Sequence, residues 1–141
     1  MIQRIQSVWL LLAAVCAGLT FFVPFGTEFV SALDTRQVNA DGMNAHTNPV
    51  VLIITLCMIA SALLNIFVYK KRKIQKYVTA VLILQGLLCI AYMVYATEFQ
   101  HENTSIRFGI VAPVLSIIFA SLAYKGISND DKLVKNLDRL R

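Results

Sequence analysis

The sequence predicts an all-α membrane protein, a four-transmembrane-helix up-down bundle with both termini cytoplasmic and a short amphipathic C-terminal helix. Three observations carry that expectation. Hydrophobic residues make up 57% of the 141-residue chain and charged residues only 15%, with a mean hydropathy of +0.66; a water-soluble domain of this size is less apolar. Four stretches approach the roughly 20 apolar residues that a spanning helix needs. The basic residues are bunched in alternate connections between those stretches, as membrane orientation requires.

The first stretch, "SVWLLLAAVCAGLTFFVPF" (7–25), follows Arg4 and could be taken for a signal peptide. Its apolar run continues to Phe25 without a small-x-small cleavage site, so it is read as a retained helix. The second, "PVVLIITLCMIASALLNIFVY" (49–69), and the third, "KYVTAVLILQGLLCIAYMVYA" (76–96), flank the link "KKRKIQK". A connection that short makes them an antiparallel hairpin. The fourth, "RFGIVAPVLSIIFASLAY" (107–124), is the shortest and carries Pro113, where a kink or a thinned bilayer contact is expected. A period of two is missing throughout, which excludes a membrane barrel. The whole chain, 1–141, reads as a single integral membrane domain.

Between the spans, residues 26–48 form a long outer loop whose "NADG" reads as a turn, and residues 97–106 form a short one. Of the 13 basic residues, all but Arg36 and Arg107 fall on one side, in the N-terminus, the link and the tail. Positive loops stay in the cytoplasm, so both ends are expected there. Trp9, Tyr69, Tyr77 and Tyr124 fall at that side of the spans, and Phe22, Phe25, Tyr95 and Phe99 at the other, as interfacial aromatic belts do.

This distribution also narrows function. A net charge of +5 does not predict nucleic-acid binding, because the basic residues sit in gaps between apolar segments and not on a folded soluble face. A proton-coupled exporter needs an ionisable group inside a span, and no span interior holds Asp, Glu, Lys, Arg or His. Cys16, Cys57 and Cys89 fall in different spans without Cys-x-x-Cys spacing, so they read as small buried hydrophobes. His46 and His101 lie in the outer loops, away from where haem would need them; with Glu102 they make an incomplete metal set. Neither a serine–histidine–acid set nor a phosphate-cradling glycine loop is present. The expectation is a protein that is not an enzyme and carries no cofactor or metal.

Small and polar residues at helical spacing remain. Cys57, Ser61 and Asn65 lie four apart in the second span, and Ala112, Ser116 and Ala120 in the fourth. Ala14 and Gly18 pair in the first, and Gln85 stands beside Gly86 in the third, with Cys89 one turn on. Such stripes let helices approach and hydrogen-bond. Ser61, Asn65, Gln85 and Ser116 are therefore candidate intramembrane polar contacts, serving helix packing, a docking face for another membrane protein, or a small lipophilic pocket.

The tail, "SNDDKLVKNLDRLR" (128–141), reads as a helix of its own. Ser128 or Asn129 would cap it, Asp130 and Asp131 would occupy its first turn, and Lys132, Lys135, Arg139 and Arg141 would run towards its negative end. Leu133, Val134, Leu137 and Leu140 share one side. It could lie on anionic lipid or fit a partner's groove. Lys70, Lys71, Arg72, Lys73, Leu133, Leu137, Arg139, Leu140 and Arg141 are the candidate lipid or partner contacts. Deleting residues 128–141 is expected to leave four inserted spans and to weaken association.

The start "MIQRIQSVWLLLA" and the tail "DDKLVKNLDRLR" resemble the two ends of domain-of-unknown-function family 4293, small four-span proteins of Bacteroidota, and the likeness covers the whole chain. The ending "NLDRLR" departs slightly from that family's "SADRLR"-like ending. The resemblance implies a bacterial inner-membrane protein and supplies no activity and no catalytic residues. The expected role is a non-enzymatic accessory or scaffold subunit of a larger envelope or secretion assembly, with membrane lipids and other membrane subunits as partners. The alternative is a binder or carrier of a lipid, quinone or other lipophilic molecule within the bundle.

Overall fold

The computed structural model describes residues 2–28, 45, 48–68, 72–99, 104–106 and 108–139. Four helices dominate: α1 (Ile2–Leu19), α2 (Pro49–Phe67), α3 (Arg72–Phe99) and α4 (Val111–Arg139). Each packs against its two neighbours around a closed ring, α1 on α2, α2 on α3, α3 on α4 and α4 back on α1. Three segments are long and apolar enough to cross a membrane: Pro49–Phe67, Lys73–Glu98 and Phe108–Asp131.

The first helix corrects the sequence reading. It begins at Ile2 and stops at Leu19, so the last part of the expected run, residues 20–25, is turn instead of helix. Thr20, Phe21 and Phe22 bond back three residues, to Ala17, Gly18 and Leu19, and Pro24 then has no N–H to continue the ladder. At about 1.5 Å per residue the 18 residues of α1 cover about 27 Å.

The start of α2 is fixed locally. The Asn48 side chain accepts from the Val50 amide at 3.1 Å, and Pro49 occupies the first turn, where its missing N–H is harmless. The same reasoning removes the kink expected at Pro113, which falls in the first turn of α4. A third correction concerns the tail. No separate helix starts at Ser128, because α4 runs unbroken through it to Arg139. Without Pro or Gly after Gly126 nothing interrupts the ladder, and Ser128 sits inside a helix instead of capping one.

A small ribbon, which the sequence did not disclose, closes the end away from the tail. Strands β1 (Gly26–Glu28) and β2 (Thr104–Ile106) pair antiparallel, Gly26 opposite Ile106 and Glu28 opposite Thr104. A 3-10 turn, Phe108–Ile110, follows β2. The Gly109 amide donates to the Pro24 carbonyl at 3.1 Å, and a Cβ at Gly109 would lie 2.6 Å from both the carbonyl carbon and oxygen of Pro24. Only glycine allows the two backbones to meet here. Phe25, fully buried, plugs this end of the core.

The core itself is built from small side chains. Ala13, Ala17, Ala62, Ala96, Ala120 and Ala123 are buried, with Leu10, Val51, Met58, Leu82 and Met93 filling between them. Gly86 brings α3 close to α4, since a Cβ there would stand 2.5 Å from Ile117 Cγ1. Trp9 of α1 stacks on Phe119 of α4 with centroids 5.8 Å apart. The large apolar side chains mostly face outward: Val8, Leu11 and Val15 on α1, Ile53 and Leu64 on α2, Leu84 and Leu88 on α3, Ile118 and Leu122 on α4.

Candidate functional site

Two polar arrangements lie within this frame: a seam between helices and a groove at the end where α3 begins and α4 leaves the bundle. The seam follows from the antiparallel α2–α3 pairing. Asn65 Nδ2 donates to Thr79 Oγ1 at 2.7 Å, and Thr79 donates in turn to the Gln75 carbonyl at 2.8 Å. Nearer the middle, the Ser61 hydroxyl donates to Gln85 Oε1 at 2.9 Å. Towards the ribbon, Thr20, in the turn after α1, reaches Thr55 of α2 at 3.4 Å. Across the other side of the bundle, Ser116 donates to the Ala13 carbonyl at 2.9 Å.

All of these partners are neutral. Between membrane helices such contacts average about 0.6 kcal/mol, so the seam sets register more than it stabilises. One atom breaks the pattern: Asn65 Oδ1 is buried without a partner.

The sequence-derived candidates divide accordingly. Ser61 and Gln85 do meet, Ser116 does bridge helices, and Asn65 pairs with Thr79. Cys57, placed on the same stripe by its spacing, is exposed, because strict steps of four drift around a helix of 3.6 residues per turn. The buried side of α2 runs through Val51, Thr55, Met58, Ala62 and Asn65. Thr20, Thr55 and Thr79 were missed. Their signal was present, since each is a threonine within an apolar run at helical spacing from another buried residue.

At the basic end, buried Gln6 of α1 donates its side-chain amide to Asp130 Oδ2 of α4. Gly126 makes room for Gln6, whose Cγ would lie 3.2 Å from a Cβ at that position. On the other face of α4, Lys76 Nζ lies 5.3 Å from the Tyr124 ring centroid and 3.4 Å from Ser128 Oγ. Lys73, Lys76, Tyr77 and Ala80 of α3 and Tyr124, Ile127 and Asp131 of α4 line a groove of about 540 Å³. Lys73 and Leu133 are exposed. Lys70, Lys71, Leu140 and Arg141 lie outside the described residues, and of the side chains of Arg72, Leu137 and Arg139 nothing is described.

Among the described residues no group of three or more His, Cys, Asp or Glu could hold a metal ion; His46, His101 and Glu102 fall outside them. Cys16, Cys57 and Cys89 are free thiols.

The model of a family described as a domain of unknown function (DUF4293) matches residues 2–140. The chain belongs to that family. The match spans both the N-terminal and C-terminal stretches that carried the resemblance. No curated protein and no solved structure matches the chain. The seam and the groove therefore have to be interpreted from their own chemistry.

Proposed function

We propose that the protein is embedded in the bacterial inner membrane with all four helices, both termini cytoplasmic, and serves as a non-catalytic accessory or scaffold subunit of a larger membrane assembly. The observation that carries the embedding is the inverted distribution of side-chain size. Alanines and threonines are prominent in the interior, with a few larger side chains such as Leu10, Met58 and Leu82 between them, while exposed leucine, isoleucine and valine cover the outside of every helix. In water that surface would far exceed the few hundred Å² of contiguous apolar patch that a monomer tolerates; in lipid it is the expected arrangement, because close packing by small residues is what holds membrane helices together.

Aromatic placement supports the same reading. Phe22 and Phe108 at the ribbon end and Phe67 and Tyr77 at the basic end are the most exposed large apolar side chains described, each above 75%. Rings exposed at both ends match the two interfacial belts. The basic link and tail favour the cytoplasm for the end that holds Lys73 and Lys76.

Support for the accessory role is the neutral, largely self-paired seam together with the length of α4. Its 29 residues extend about 44 Å against a hydrocarbon core of about 30 Å, leaving a rigid extension beyond the basic end on which a partner could dock. The test is purification of the tagged full-length chain in mild detergent, with co-purifying proteins and lipids identified together by mass spectrometry. A stoichiometric membrane-protein partner is expected; a chain that runs as a monomer without one at every detergent strength sinks the scaffold reading. Resistance to carbonate extraction tests the embedding separately.

A further inference from the structure

We propose that the groove between α3 and α4 is a binding site for the phosphodiester headgroup of an anionic glycerophospholipid. This rests on the membrane reading above and adds a site, a ligand class and a leaflet to it.

The chemistry of the walls selects the headgroup. Lys73 and Lys76 stand on the α3 side against Asp131 on the α4 side, so the groove has an excess of positive charge. Lys76 is held over Tyr124 and beside Ser128, which orders its ammonium without neutralising it. The tyrosines at 77 and 124 add two phenolic hydroxyls that can donate to phosphate oxygens. Basic pockets between helices on the cytoplasmic side are suited to such headgroups.

Helix electrostatics point the same way. No acidic residue lies in the first turn of α3; instead Lys73 and Lys76 occupy its opening turns, at the positive end of the macrodipole, where cations are disfavoured. An anion seated in the groove would meet both the lysines and that helix end. Arg72 opens the same helix, and Lys70 and Lys71 precede it in sequence.

Depth distinguishes a lipid from a free anion. The apolar segment of α3 begins at Lys73 and that of α4 ends at Asp131, so the charged rim lies at headgroup height. Ala80, Ile127 and the Tyr124 ring add apolar lining on the bilayer side of it, and exposed Leu84 continues the surface one turn deeper on α3. A phosphate at the rim would thus have a path for acyl chains along the helix, which a soluble ion does not use.

The experiment is native mass spectrometry of the full-length protein released from bilayers of phosphatidylcholine mixed with phosphatidylglycerol. The wild type is expected to retain phosphatidylglycerol preferentially. Lys73→Gln combined with Lys76→Gln should cut that preference about tenfold, and Lys73→Arg with Lys76→Arg should keep it. A control at another cation near the same end, Lys125→Gln, should leave it within about twofold, since Lys125 is exposed and does not line the groove. An equal loss in the control would mean diffuse surface charge and would overturn the site. Displacement of the lipid by inorganic phosphate at millimolar levels would overturn the lipid assignment in favour of a free-anion site. A wild type that resists carbonate extraction yet shows no preference refutes the groove while leaving the membrane reading intact; extraction by carbonate refutes the membrane reading itself. Circular dichroism of each variant confirms that the helices are retained.

Discussion

Replacing Gly109 by alanine tests how the ribbon end is built. The new Cβ would lie 2.6 Å from the carbonyl carbon and oxygen of Pro24 and 2.7 Å from Phe25 Cα. Ordinary contact is about 3.5–4 Å, so three backbone atoms are overlapped by roughly 1 Å at once, and none can rotate away. Relief requires separating the 3-10 turn from the Pro24 segment, which breaks the Gly109–Pro24 hydrogen bond at about 1 kcal/mol. Displaced packing around buried Phe25 adds about 1–3 kcal/mol. The reduced freedom of alanine in the unfolded chain returns about 0.4–1 kcal/mol. The net expectation is a loss of about 2–3 kcal/mol, read by SDS-titrated unfolding in mixed micelles against the wild type. A change under about 0.5 kcal/mol would refute the close backbone approach.

Other substitutions discriminate by what surrounds them. Gly86→Ala meets a side chain, Ile117, which can turn, so it should cost only about 1 kcal/mol; in an Ile117→Ala background the same change should cost nothing, checked by a double-mutant cycle. Gly18→Ala meets nothing within 4 Å and should stabilise by up to about 1 kcal/mol in the same unfolding assay. Thr79→Val preserves shape but strips Asn65 Nδ2 of its hydroxyl partner, leaving a fully buried amide unpaired at about 2 kcal/mol. Asn65→Leu also removes the orphaned oxygen and should be the milder of the two in the same melt.

The parts of this fold that depend on composition over a long window were legible in the sequence. The apolar windows place α2, α3 and α4, and the short basic link makes α2 and α3 antiparallel. Helix ends were less legible, because they turn on single backbone groups. Apolar residues run on past Leu19, but Pro24 and the three-residue bonds at Thr20, Phe21 and Phe22 end the helix. At Ser128 the polar composition imitated a cap, yet capping requires a break in the ladder, and none occurs. The ribbon was hidden because strands of three residues carry no readable period. The seam was half visible: Ser61 and Gln85 stand out as polar, whereas Thr79 and Thr55 read as ordinary apolar-span residues until the α2–α3 register pairs them. Similarly, Lys73 was identifiable as basic, but its place in a groove depends on Tyr124 and Ile127, some fifty residues on in the chain.

Continuity of α4 changes what the tail deletion should do. With a separate tail helix, removal of residues 128–141 would leave the bundle intact. In the observed fold Asp130 accepts from Gln6, whose side chain is only 5% exposed, and Ser128 contacts Lys76. Cutting after Ile127 therefore strands a buried amide that had a charged acceptor, a loss of about 1.5–3 kcal/mol. Cutting after Asp131 spares both contacts and removes only the projecting turns of α4. The two truncations, compared by SDS-titrated unfolding, should differ by at least about 1.5 kcal/mol, with the shorter chain the weaker. Gln6→Leu in the shorter chain should recover much of the difference, because an apolar side chain needs no acceptor there. Equal stability of the two truncations would mean that the Gln6–Asp130 contact does not tie the N-terminus of α1 to α4.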